Sequence, residues 1–155
     1  MIKKFLDKLK NKPLASEVKL PVNEEQNLLW VKKEAKVIKE ARKEAQKDIG
    51  YFIDNLTKFV NSPNWIFSIK KHFVNDNQHE HMWIAVKSYK NGIFYGTLNN
   101  KPLIIKSMKF GDNLEIPKKE VDDWMFFDPR INSNVGGYSV IKLKELRNNL
   151  QKTQK

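Results

Sequence analysis

His79 and His81 stand two residues apart, and on a strand that spacing turns both imidazoles to one side. A zinc-like site needs three or four ligands, and Glu120, Asp122 and Asp123 are the carboxylates that folding could bring to the pair. The set falls short of a recognisable ligand pattern, and its plain alternative is a turn residue, His79, beside a strand residue, His81, bonded within a sheet. Glu80, His81, Asp122 and Asp123 also read as acid–base equipment, because an imidazole titrates near neutrality and a carboxylate beside it orients its proton. No nucleophile elbow, phosphate-binding glycine loop or paired-carboxylate spacing accompanies them. Gly92, Gly96, Gly111, Gly136 and Gly137 are spread over turns rather than gathered into one loop. The chain has no cysteine, which removes disulfides and thiolate metal sites. The expectation is no metal, no cofactor and no catalysis, with a small hydrolase or metal-dependent enzyme centred on His81 and Asp123 as the enzymatic alternative.

Five residues remain as a candidate binding set: Glu80, His81, Trp83, Asp123 and Trp124. In one reading they are core groups, with the indole N–H of each tryptophan tied to an acceptor and His81–Asp123 a buried polar pair. Leaving one member of such a pair unpaired costs about 1–3 kcal/mol. In the other reading they form a polar–aromatic patch on one sheet face, suited to a ligand or a protein. The five belong to a longer series: Glu80-His81-Met82-Trp83, then Gly92 to Pro102, Gly111-Asp112, Asp122-Asp123-Trp124-Met125 and Gly136-Gly137-Tyr138. That order and spacing resemble the YegJ-like family of bacterial domains, a family of unknown function, over roughly residues 41–142. The glutamate–histidine–x–tryptophan and aspartate–tryptophan pieces recur there as landmarks, and match Glu80-His81-Met82-Trp83 and Asp123-Trp124-Met125 here. The resemblance implies a fold and a set of positions and supplies no activity. Phe126 to Val135, which contains Asp128-Pro129-Arg130, is longer than the family's usual loop at that point.

The elements that must position these residues follow from periodicity. Leu28, Val31, Ala35, Ile38, Ala45, Ile49, Phe52, Leu56 and Phe59 recur at steps of three and four, broken once where Arg42 takes the expected place. A helix from about Glu24 to Val60 follows, with Asn23 and Gln26 in capping-box positions and Ser62-Pro63 as the stop. Its length approaches about 55 Å at the usual rise per residue. Arg42 and the bulk of Phe52 and Phe59 argue against a long coiled coil. The second half is expected to lie on a sheet, leaving the first half as a dimer or partner surface. From Asn64 the period becomes two, predicting a strand to Val74, a turn over 75–78, a strand from His79 to Tyr89 and an Asn91-Gly92 hairpin into Ile93–Leu98. Leu103-Ile104-Ile105 and Leu114-Glu115-Ile116 read as further strands, and Tyr138–Ile141 as the strand that closes the sheet, before a short basic helix. The expected fold is α+β: a long N-terminal helix packed on a curved antiparallel β-sheet or small open barrel, with a short C-terminal helix.

At 155 residues and 40% hydrophobic content the chain suits one globular domain. Its division is a basic extension over 1–22, a single α+β domain over 23–142 and a basic helix or tail over 143–155. Ile2, Phe5, Leu6 and Leu9 fit a short amphipathic helix, and Pro13 and Pro21 bracket a linker. Asp7 and Lys8 break any signal-peptide core, and no apolar run is long enough to cross a bilayer, which predicts a cytoplasmic protein. Of the net charge of +11, the first twenty residues supply +4 (six Lys against Asp7 and Glu17) and residues 142–155 another +4 (five basic residues against Glu145). Charge gathered in the ends reads first as solvated termini, and supports weak, salt-sensitive contact with nucleic acid or anionic lipid. The functional expectation is a non-enzymatic binding domain for a protein partner, with an acidic toxin or effector and an immunity- or antitoxin-like role as its sharper form. A nucleic-acid-associated protein binding through basic tails is the alternative.

Overall fold

The structure, a computed structural model, describes residues 24–153. The amphipathic helix at 2–9, the Pro13–Pro21 linker and the Asn23–Gln26 capping box lie outside the described residues or side chains. Helix α1 spans Glu24–Phe59, one residue short of the stop that periodicity predicts. Six strands follow: β1 (Ile66–Asn75), β2 (Gln78–Lys90), β3 (Ile93–Leu98), β4 (Asn113–Pro117), β5 (Asp123–Asp128) and β6 (Ser133–Gly136), before helix α2 (Tyr138–Thr153). The strands make one antiparallel sheet ordered β4-β3-β2-β1-β5-β6, which is open rather than closed into a barrel. The α+β architecture is the one expected.

Alternation decides which side chains meet the helix. Phe67, Ile69 and Phe73 of β1, Met82 and Ile84 of β2, Phe94 and Leu98 of β3, and Trp124 and Phe126 of β5 share a core with Ala45, Ile49, Phe52 and Leu56 of α1. Phe52 is its hub, with ring centroids 5.7 Å from Phe67, 5.8 Å from Phe94 and 5.4 Å from Trp124. Each such buried side chain contributes roughly 1.5–3 kcal/mol relative to exposure. Helix α1 also packs on α2, where a Lys142–Glu44 ion pair at 3.3 Å and a hydrogen bond from the Tyr138 hydroxyl to Asp48 at 2.8 Å join them, and Trp30, Ala41 and Leu143 are buried.

Arg42 breaks the apolar stripe because it serves another contact. Its guanidinium donates to the Lys119 carbonyl at 2.9 Å and pairs with Asp122 at 3.2 Å. Gln46, one turn on, donates to the carbonyls of Lys118 and Val121. The helix is thereby fastened to the crossover between β4 and β5, just ahead of the Asp-Asp-Trp motif.

Two expected strands are not strands. Leu103-Ile104-Ile105 lies in an irregular connection over 99–112, where only Ile105 enters the core and the backbone N–H groups go to a side chain. Tyr138–Ile141 opens α2, and the sheet ends instead in the β5–β6 pair.

Candidate functional site

The four residues from Glu80 to Trp83 do four different jobs, because alternation sends neighbours to opposite faces. The Glu80 carboxylate accepts the backbone N–H groups of Leu103 (2.7 Å), Ile104 (3.0 Å) and Ile105 (3.0 Å). Burial raises this carboxyl's pKa, and the three N–H groups outweigh that and hold it below the ordinary glutamate value. Trp83 is buried, and its backbone takes the near end of the same loop, its N–H donating to Asn100 Oδ1 at 2.5 Å and its carbonyl accepting the Asn99 N–H at 2.9 Å. Asp112 closes the far end by accepting the Lys109 N–H at 2.8 Å, while Leu98 and Asp112 or Gly111 exchange backbone bonds.

The 99–112 loop is thus fourteen residues without regular structure, yet fixed at base and waist. Pro102 and Ile105 point in, while Leu103 is 72% exposed, Ile104 47% and Phe110 55%. Lys101, Lys106 and Lys109 are exposed among them. Chemically this is an apolar, lysine-rimmed projection held by a carboxylate from beneath.

The second motif splits in the same way. Trp124 is buried against Phe52 and donates its indole N–H to the Ala45 carbonyl at 2.9 Å. Asp123 is fully buried and accepts four bonds, from the backbone N–H of Trp124 (2.8 Å), Tyr138 (3.1 Å) and Ser139 (2.8 Å) and from the Ser139 hydroxyl. It is the start signal of α2, delivered from fifteen residues upstream. Lys70, opposite Asp123 across β1–β5, is also buried and donates to Ser139 Oγ at 3.3 Å. Burial pushes Asp123 up and Lys70 down, against their mutual attraction. The close approach of α2's leader is paid in glycine: Gly136 has φ +86°, and a Cβ there would stand 2.4 Å from the Trp124 carbonyl oxygen.

His81 faces a different neighbourhood. Its Nδ1 is 3.5 Å from Asp122 Oδ2, and Asp122 is the buried partner of Arg42. Burial raises the Asp122 carboxyl, and His81 and Arg42 more than offset that and leave it below the ordinary aspartate value. His81 also stacks on His72, its register partner across β1–β2, at 4.5 Å and 12°. His79 Nδ1 in turn lies 3.0 Å from His72 Nε2.

The five residues singled out from sequence therefore do not share one surface. Trp83, Asp123 and Trp124 are buried, Glu80 lies under the loop, and His81 is exposed beside Asp122. His81 and Asp123 are not bonded to each other; the histidine's carboxylate is Asp122. Sequence reading missed His72, Lys70, Ser139 and the loop. A two-residue turn at Asp76-Asn77 fixes the hairpin register and would have set His72 opposite His81. Among the described residues, no three His, Asp or Glu side chains gather in a way that could hold a metal ion, and no helix is long and apolar enough to cross a membrane.

A family model described as "Uncharacterized protein conserved in bacteria (DUF2314)" matches residues 35–155. The chain is 32% identical over 103 residues to the uncharacterized protein YegJ of Escherichia coli K12, a stretch covering 66% of this chain and 61% of that protein. It is 40% identical over 48 residues to a putative ankyrin repeat protein of Neisseria meningitidis serogroup B, covering 30% of this chain and 19% of that protein. The matched stretch is thus less than two thirds of either relative's length. No solved structure matches. The YegJ-like resemblance read from the motifs holds, and the family match runs beyond residues 41–142 at both ends.

Proposed function

The chain belongs to the bacterial family DUF2314, and from that premise we propose that it is a non-enzymatic, cytoplasmic protein-binding domain whose docking element is the 99–112 loop. The observation that carries this reading is the use of Glu80. One carboxylate and the Trp83 backbone hold a fourteen-residue loop in place while Leu103 and Ile104 stay in water. Irregular loops of that length are uncommon in compact domains and are usually functional when ordered. A rigid loop also loses little conformational entropy when a partner covers it. The lysines around it favour an acidic partner, as does the net charge of +11. An immunity- or antitoxin-like role, blocking a toxin of the same bacterium, is the sharper form of the proposal.

The test is affinity capture of tagged full-length protein from its native host with nuclease present, comparing wild type with the Leu103→Asp/Ile104→Asp double variant. Both side chains are exposed, so the variant's thermal midpoint should stay close to wild type, each change being worth within about 0.5 kcal/mol. A stoichiometric protein that survives nuclease and is lost from the double variant is the expected result. A partner retained equally by the variant removes the loop from the reading. Recovery of nucleic acid alone in a parallel capture without nuclease removes the loop from the reading and favours binding through the basic termini instead.

A further inference from the structure

All three histidines of the chain meet at one place. His72 and His81 face each other across β1–β2 and stack, and His79 meets His72 edge to edge. Asp122, itself clamped by Arg42, stands at the outer side of His81. The cluster takes no part in bracing the loop or in starting α2, and a surface imidazole pair adds little to stability for the three titratable groups it crowds together.

We propose that His72 Nε2 and His79 Nδ1 form a two-nitrogen clamp for a divalent transition-metal ion, copper(II) or nickel(II) ahead of zinc(II), with His81 as its positioning residue. The two nitrogens are 3.0 Å apart. At metal–nitrogen bonds of about 2.0–2.1 Å that separation subtends roughly 90–95°, the cis angle of a tetragonal site and smaller than the tetrahedral angle zinc prefers. The order of intrinsic affinities for nitrogen ligands points the same way. In the metal-free form one of the two rings carries a hydrogen at the contact and the other accepts it. On binding, that hydrogen moves to the ring's other nitrogen, both lone pairs turn to the metal, and two neutral rings release no net proton. His81 lies flat against His72 and is tethered to Asp122, so it sets the orientation of the His72 ring without reaching the metal. No third His, Asp or Glu among the described residues converges on the clamp, so its remaining positions are open to water or to a donor from another molecule.

The test is calorimetric titration of the full chain with CuCl2, NiCl2 and ZnCl2 in a non-coordinating buffer at pH 7.5, with electron paramagnetic resonance of the copper form. The expected result is one tight copper equivalent whose spectrum shows two imidazole nitrogens. His79→Gln changes an exposed residue at the hairpin turn and should fold as wild type, which circular dichroism checks. It should weaken copper binding at least about tenfold and remove one nitrogen from the spectrum. His81→Gln should keep the stoichiometry and both nitrogens with a smaller loss of affinity. Copper bound equally well by wild type and His79→Gln, or bound without imidazole nitrogen, overturns the proposal and leaves the contact as a pair of rings sharing a proton.

Discussion

Glu80 and Asp123 are the same device at two depths. Glu80 gathers three backbone N–H groups from a segment far along the chain, and Asp123 gathers two from such a segment besides that of its neighbour Trp124. Glu80 sits near the surface, and its N–H partners win over desolvation, so its pKa falls. Asp123 is fully buried, and desolvation wins over a similar set of partners, so its pKa rises. The structural products differ as well. At the surface three N–H groups collected on one carboxylate hold an irregular loop in place, whereas in the core the N–H groups of Tyr138 and Ser139 on one carboxylate start a sixteen-residue helix. Depth, more than the number of bonds, decides whether a carboxylate stays a charge ready for exchange with water or becomes part of the packing.

The largest test of that contrast is Asp123→Asn. It removes the foremost counter-charge of buried Lys70 and two of the acceptor geometries at the α2 start, and should cost about 3–5 kcal/mol. Urea unfolding with an unchanged m-value measures it, and a loss under about 1 kcal/mol would show that depth adds nothing to the bond count. Glu80→Gln is the matched change at the surface. It keeps an acceptor oxygen but loses the charge, so global stability should fall by no more than about 1 kcal/mol. Hydrogen exchange at Leu103, Ile104 and Ile105 should nevertheless speed up, with Tyr138 and Ser139 unaffected; uniform change across both groups would erase the distinction.

Acid gives the smallest and most selective comparison. The folded pKa of Glu80 is depressed, so its stabilising contribution is present above the unfolded glutamate value and is lost as pH falls through the folded one. The folded pKa of Asp123 is raised, so its contribution is complete below the unfolded aspartate value and declines as pH rises through the folded one. Lowering the pH below about 4 should therefore release the amides of 103–105 before those that start α2. Simultaneous release, followed by amide exchange across that range, would contradict the opposite signs.

The parts of the molecule legible in sequence are those set by local repetition. The three-and-four spacing from Leu28 to Phe59 gives α1 its end, and Asn91-Gly92 adopts left-handed φ of +50° and +79° at the hairpin it predicts. The misread parts depend on a distant side chain. Leu103-Ile104-Ile105 has the composition of a strand, and Glu80, more than twenty residues away, claims the N–H groups a strand partner would have used. Tyr138 and Val140 alternate like a strand, and Asp123 supplies the helix start that no local Ser, Asp or Asn does at the preceding position. Candidate chemistry failed in the same way: Asp122 and Asp123 are adjacent in sequence, and the backbone sends one to Arg42 and His81 and the other into the core.

The bond from the Trp124 indole to the Ala45 carbonyl joins residues 79 positions apart, and the Tyr138 hydroxyl reaches Asp48 across 90. During synthesis α1 emerges ahead of the sheet and meets its β5 and α2 partners last. At about 5–20 residues per second the apolar stripe of α1 waits on the order of ten seconds for Trp124 to leave the ribosome. The β1–β2–β3–β4 meander is available to it in that interval, without the β5 strand that fills the other side of the core. Cotranslational folding of this chain is therefore gated by its C-terminal third, and a truncated product ending before Trp124 is a natural substrate for chaperones and proteases.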